Sequence, residues 1–136
     1  MNYLIDTHVL LWWLFNDPRL TQDMRIIISN PANNIFVSGA SAWEIATKYR
    51  LGKLMEAKEL VENYHEILAK AGFIELSITS IHALRAGTLP IEHRDPFDRM
   101  LIAQAELESM YFISYDQPLW IAAVEIIPKK WCIKNQ

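Results

Sequence analysis

Short, apolar-rich runs of strand length alternate along the chain with stretches in which apolar residues return every three or four positions. Tyr3-Leu4-Ile5, Ile35-Phe36-Val37, Phe73–Ile78 and Met110–Tyr115 read as strands. Val124–Ile127 reads as a fifth, short strand at an edge. Helical text fills the intervals. Val9–Phe15 ends near Asn16-Asp17-Pro18, and Thr21 serves as N-cap for a helix running to Ser29. After a turn over Asn30–Asn34, Ser38-Gly39-Ala40-Ser41 leads from the second strand into a helix through Tyr49. The clearest stripe is Ala57, Leu60, Val61, Tyr64, Ile67, Leu68 and Ala71, spaced for one amphipathic helix that Gly72 closes. Thr79 or Ser80 caps a short helix ending by Gly87. Asp95 caps another, which opens at Pro96 and runs to about Glu108. A short helical turn is expected after Pro118.

Strand–helix–strand alternation predicts an α/β fold, a parallel sheet of four to five strands with helices on both faces. Near-continuous apolar strands fit a sheet covered on both sides. In such sheets ligands sit beyond the carboxyl ends of the strands, where the strand order reverses. That edge is where chemistry is expected.

Composition narrows the class. A chain of 136 residues, 51% of them hydrophobic, predicts one domain with an ordinary core. The single cysteine, Cys132, excludes a disulfide framework and a zinc site built on several thiolates. The longest uninterrupted apolar run, Val9 to Phe15, has seven residues, against roughly 20 for a membrane span. No basic residue precedes the first apolar run and Asp6 interrupts it, so no secretory signal is read. A cytoplasmic protein with no membrane partner is expected. The net charge of −3, from 13 basic and 16 acidic residues, argues against coating nucleic acid by bulk charge. It leaves room for an enzyme that grips phosphates through metal ions, because such a site is itself made of carboxylates.

Four acids fall at the predicted edge. Asp6 follows the first strand and Asp116 the fourth; Glu44 lies in the first turns of the helix after the second strand. Asp98 stands in the first turn of the helix from Pro96, in line with Leu101, Ile102 and Ala105. Each alone has an ordinary explanation. Asp6 can cap a helix, Asp116 can serve a turn, and Asp98 suits a helix N-terminus. Glu44 can pair with Lys48 four residues on. Gathered at one rim they would repel one another without a counter-charge. Oxygen-only ligands suit Mg²⁺ or Mn²⁺, whose chemistry is phosphodiester hydrolysis by an activated water. Lys48, Arg50, Lys53, Arg94 and Arg99 are candidates for a phosphate-binding rim. Arg99 could equally pair with a site carboxylate. The histidines at 8, 65, 82 and 93 show no ligand spacing with one another, and His8 and His93 read as structural or surface residues.

Four blocks of sequence resemble the PIN-domain ribonucleases, and more narrowly the virulence-associated-protein-C (VapC) toxins of toxin–antitoxin pairs. They are Leu4-Ile5-Asp6-Thr7-His8-Val9-Leu10-Leu11-Trp12-Trp13, Val37-Ser38-Gly39-Ala40-Ser41-Ala42-Trp43-Glu44-Ile45, the segment from His93-Arg94-Asp95-Pro96-Phe97-Asp98-Arg99 through Ala105, and Ser114-Tyr115-Asp116. The third block is the most specific, and the four span nearly the whole chain in order. The resemblance implies a three-layer α/β/α sandwich and a Mg²⁺- or Mn²⁺-dependent endoribonuclease. Its metal ligands would be Asp6, Glu44, Asp98 and Asp116, with Asp6 and Asp98 the firmest. Ser114 would orient a ligand or water through its hydroxyl. It further implies a cognate antitoxin as partner, and a homodimer. Gly39 stands where alanine is commoner, with no chemical consequence expected. The expected products carry 5′-phosphate and 3′-hydroxyl ends.

Rival readings fit less well. A response-regulator receiver needs an acidic pair after the first strand and an acceptor Asp ending the third, where this chain has Asp6-Thr7-His8 and Ile78-Thr79-Ser80. A haloacid-dehalogenase-type phosphatase needs an Asp where His8 stands. A non-catalytic binding module, a DNA substrate and a non-toxic RNA-processing role keep the same fold and stay open.

Overall fold

In the computed structural model, residues 1–91 and 95–114 and the backbone of 117–121 are described. Five strands form one sheet: β1 (Asn2–Ile5), β2 (Asn34–Ser38), β3 (Ile74–Leu76), β4 (Tyr111–Ser114) and β5 (Gln117–Ile121), in the order β3-β2-β1-β4-β5. The β1 strand runs parallel to both β2 and β4, and β3 parallel to β2, whereas β5 is antiparallel to β4. The strand order therefore reverses at β1, and the crevice beside its carboxyl end lies between β1 and β4.

Seven α-helices among the described residues cover the sheet: α1 (Thr7–Leu14), α2 (Gln22–Ser29), α3 (Gly39–Arg50), α4 (Lys58–Glu62), α5 (Tyr64–Lys70), α6 (Ser80–Thr88) and α7 (Pro96–Leu107). The period of two along each strand sorts the core into two layers. Tyr3, Ile5, Ile35, Val37 and Ile113 pack with Val9 and Leu10 of α1, Met24 and Ile28 of α2, Leu60 of α4 and Leu68 of α5. Leu4 and Phe112 pack the opposite way, against Ala86 of α6 and Leu101, Ile102 and Ala105 of α7. The outcome is the expected α/β/α sandwich. Among the described residues no helix is long and apolar enough to cross a membrane.

The caps act as the sequence predicts. Thr21 accepts from Met24 N and Asp95 from Phe97 N, with Pro96 in the first turn. Gly72 takes φ +80° just past α5, a conformation glycine adopts without penalty. Two expectations fail. The stripe from Ala57 to Ala71 is not one helix but a 3₁₀ turn (Met55–Ala57) followed by α4 and α5, bent at Asn63 with φ −127° and ψ 37°. Backbone bonds from Asn63 N to Glu59 O and from Ile67 N to Asn63 O preserve the buried face across the bend, so periodicity alone does not reveal it. After Pro118 the chain is not helical: Gln117–Ile121 pairs with β4 at the sheet edge, where a proline without an N–H is tolerated. The strand expected at Val124–Ile127 lies outside the described residues.

Several polar contacts join α6 to α7, among them the ion pair of Arg85 with Glu106. Buried His82 accepts from Thr79 N at Nδ1 (3.0 Å) and reaches Glu108 Oε1 with Nε2 (2.9 Å). Arg99 donates to the carbonyls of Ala86 (2.9 Å), Leu89 (2.9 Å) and Ile91 (3.2 Å), holding the end of α6 and the chain beyond it against α7.

Candidate active site

Asp6 is the first residue past β1. Its backbone N–H continues the sheet by donating to Ile113 O of β4 at 3.0 Å. The Ile5–Ile113 register places it beside Ser114, the buried last residue of β4. Its side chain is buried and caps α1, Oδ1 accepting from Val9 N at 2.8 Å. The backbone turn and the cap together fix the carboxylate's orientation at the switch point.

Glu44 arrives from the neighbouring strand. Ser38 ends β2 and caps α3 by accepting from Ala40 N at 3.0 Å, so the helix begins at once. Ser41, Glu44 and Lys48 then share one helical face. Thr7 Oγ1 donates to Ser41 Oγ at 3.0 Å in the interior, tying the start of α1 to that face. Glu44 is buried, and its Oε2 is 2.6 Å from Lys48 Nζ. Its Oε1 has no hydrogen-bond partner among the described residues. A buried carboxylate oxygen without a donor is costly, and fits a position that a hard cation would fill.

Asp98 lies in the first turn of α7, half-buried, its N–H bonded to the Asp95 cap at 3.3 Å. The Trp43 and Phe97 rings, one residue from Glu44 and from Asp98, meet edge to face at 4.9 Å and pack α3 against the start of α7. The structure thus brings Asp6, Glu44, Asp98 and Ser114 to the carboxyl-end side of the sheet. Among the described residues, however, no three His, Cys, Asp or Glu side chains are gathered closely enough to hold a metal ion together. Asp116, the fourth acid of the expected set, lies outside the described residues, as do Arg94 and His93.

Lys48, the ion-pair partner of Glu44, lines a groove of about 340 Å³ whose walls also include His8, Trp12, Lys53 and the acids Asp17 and Glu56. Arg19 stands over the Trp12 ring at 5.2 Å, and His8 meets it edge-on at 6.3 Å. Lys48 joins the acidic rim to this groove. The Arg99 guanidinium donates to backbone carbonyls at the end of α6 and beyond it. The sequence reading missed the Thr7–Ser41 pair. Its signal was there, a hydroxyl immediately after Asp6 and another one helical turn before Glu44.

The PIN domain family model matches residues 3–124. Ribonuclease VapC16 of Mycobacterium tuberculosis (strain ATCC 25618 / H37Rv) is 38% identical over 69 residues, 48% of this chain and 49% of that protein. The match thus spans about half the length of that relative. Among solved structures, a chain of VapBC2 from Rickettsia felis, crystallised bound to a DNA fragment from their promoter, is similar with a TM-score of 0.56 and 15% identity. That likeness covers 82% of this chain and 86% of the other, and it is one of fold.

Proposed function

The chain belongs to the PIN domain family, and from that premise we propose that it is a metal-dependent endoribonuclease, the toxin of a toxin–antitoxin pair, acting in the cytoplasm. The observation that carries the reading is Glu44, a buried carboxylate at the rim with one oxygen lacking any donor, on the same side of the sheet as Asp6, Asp98 and Ser114. The likeness to Ribonuclease VapC16 supports RNA as substrate.

Asp6, Glu44, Asp98 and Asp116 would hold Mg²⁺ or Mn²⁺. Such an ion, when bound, lowers the pKa of a water and neutralises charge on the phosphodiester. The protein's own part is orientation. Asp6 is aimed by its cap on α1, Glu44 by Lys48 and by the Thr7–Ser41 tie, and Asp98 by the Asp95 cap at the start of α7. Ser114 supplies a hydroxyl next to Asp6. Lys48 and Lys53 in the groove meet substrate phosphates, and Arg94 is a further candidate for such a contact. Attack by water leaves a 5′-phosphate and a 3′-hydroxyl, without participation of the ribose 2′-OH.

A cognate antitoxin would block this rim, and a homodimer would pair two sites. Exposed Trp43, Ile81 and Leu84 are apolar surface available to such contacts. The test is cleavage of cellular RNA with Mg²⁺ and mapping of the new ends, comparing the intact protein with Asp98→Asn. Fragments with 5′-phosphates, absent with Asp98→Asn, are expected. A 2′,3′-cyclic phosphate, or full activity of the variant, overturns the reading.

A further inference from the structure

The ion pair of Glu44 satisfies only half of its carboxylate. The side chain is 5% exposed; Oε2 takes Lys48 Nζ at 2.6 Å while Oε1 has no hydrogen-bond partner among the described residues. Buried carboxylates are ordinarily satisfied at both oxygens. Lys48 reaches in from outside. Its side chain is 38% exposed and lines the groove with His8, Trp12 and Lys53, so its ammonium can leave Glu44 for the groove without unpacking the core.

We propose that Lys48 is a displaceable counter-ion: it holds Glu44 in place until a divalent cation takes the carboxylate, and is then released into the groove to meet a phosphodiester oxygen. The proposal rests on the metal-dependent reading above. An ammonium is a compact, strongly hydrated point charge on a flexible stem, well suited to exchange between two anionic partners. A divalent ion carries twice the charge of the ammonium and could draw on Asp6 or Asp98 as well as Glu44, whereas the ion pair of Lys48 among the described residues is with Glu44 alone, so the ion would win the competition. The unpartnered Oε1 adds a second reason for the cation to enter. An arginine here would resist displacement, because its planar fork can take both carboxylate oxygens.

The competition has a reciprocal signature. If cation and ammonium contend for one carboxylate, removing the ammonium tightens cation binding, and cation binding frees the ammonium. Titration calorimetry with Mn²⁺ on the full chain, without RNA, should give Lys48→Met an affinity about three- to fivefold above wild type and Lys48→Arg an affinity below it. The wild-type protein supplies the second measurement. Acetylation of Lys48, read by mass spectrometry, should rise at least about threefold when Mn²⁺ saturates the protein, while exposed Lys70 stays constant. Circular dichroism checks that each variant is folded; the wild-type labelling needs no variant.

Equal or weaker Mn²⁺ binding by folded Lys48→Met overturns the proposal. So does unchanged labelling of Lys48, since a lysine that only biases the local field would tighten binding on removal without itself moving. In either case Mn²⁺ still binds and the nuclease reading stands. If none of the three proteins binds Mn²⁺, that reading falls and the proposal falls with it.

Discussion

Thr7 Oγ1 lies 3.0 Å from Ser41 Oγ in the protein interior, joining the residue after Asp6 to the face of α3 that carries Glu44. Two acids 38 positions apart in the chain are thereby held by a contact that neither makes itself. Thr7→Val and Ser41→Ala should each cost about 1–2 kcal/mol of stability, because each leaves a buried hydroxyl unpaired or removes its bond. The double variant should cost less than the sum, the mark of a direct interaction. Urea unfolding of the four proteins measures this, and strict additivity would refute it.

Arg99 is predicted to matter through the fold. Its guanidinium gathers the carbonyls of Ala86, Leu89 and Ile91, a pattern that needs a planar fork of donors. Arg99→Met should lose about 2–4 kcal/mol. Arg99→Lys should recover only part of it, since one ammonium cannot replace donors pointing in different directions. Thermal unfolding checks both variants, and a wild-type melting temperature for Arg99→Met would show that these bonds contribute nothing.

Tyr64 is the opposite case. Its hydroxyl is buried with no hydrogen-bond partner among the described residues. Burial first, and the negative charge of Glu75 second, push its ionisation well above the ordinary tyrosine range. Tyr64→Phe should therefore leave stability at neutral pH unchanged or raise it by up to about 1 kcal/mol. The sign with pH follows. A raised folded-state pKa means that the contribution is intact below the unfolded value near 10 and is lost as pH rises beyond it. Wild-type protein should lose stability above about pH 10 more steeply than Tyr64→Phe. Parallel denaturation curves from pH 9 to about 11.5 for the two proteins would contradict this.

Most of this architecture is legible in the residues. Asp95-Pro96 announces α7, Thr21 announces α2, and the apolar run Tyr3-Leu4-Ile5 announces the strand at which the sheet order reverses. Local chemistry fixes these features, so local reading finds them. The bend at Asn63 escapes because α4 and α5 keep one buried face through it. The strand after Pro118 escapes because its partner is β4, a tertiary choice that a proline permits at a sheet edge. At the site, sequence pattern picks out acids that the fold carries to one side of the sheet. Their separations depend on how α3 and α7 lean together through Trp43 and Phe97, and on Thr7 meeting Ser41, and no spacing along the chain encodes either contact. The same holds for Arg99, whose role depends on where the carbonyls beyond α6 fall in space.

Substitution of the acids separates chemistry from architecture. Asn is the right replacement for Asp6, because it retains the capping oxygen for Val9 N while removing the charge. Without metal, Asp6→Asn and Asp98→Asn should be as stable as wild type or more so, since a repelling charge has gone. A loss of more than about 1 kcal/mol would mean that these acids are structural. Thermal unfolding in the presence of a chelator decides between the two.

The most direct measurement is anomalous diffraction from crystals of the protein soaked in Mn²⁺. We expect a peak at the carboxyl end of β1 within coordinating distance of carboxylate oxygens of both Asp6 and Asp98, and Glu44 turned toward the same ion. A map in which Mn²⁺ binds elsewhere, or in which Asp6 and Asp98 face different parts of the molecule, would contradict the metal-dependent nuclease reading at its root.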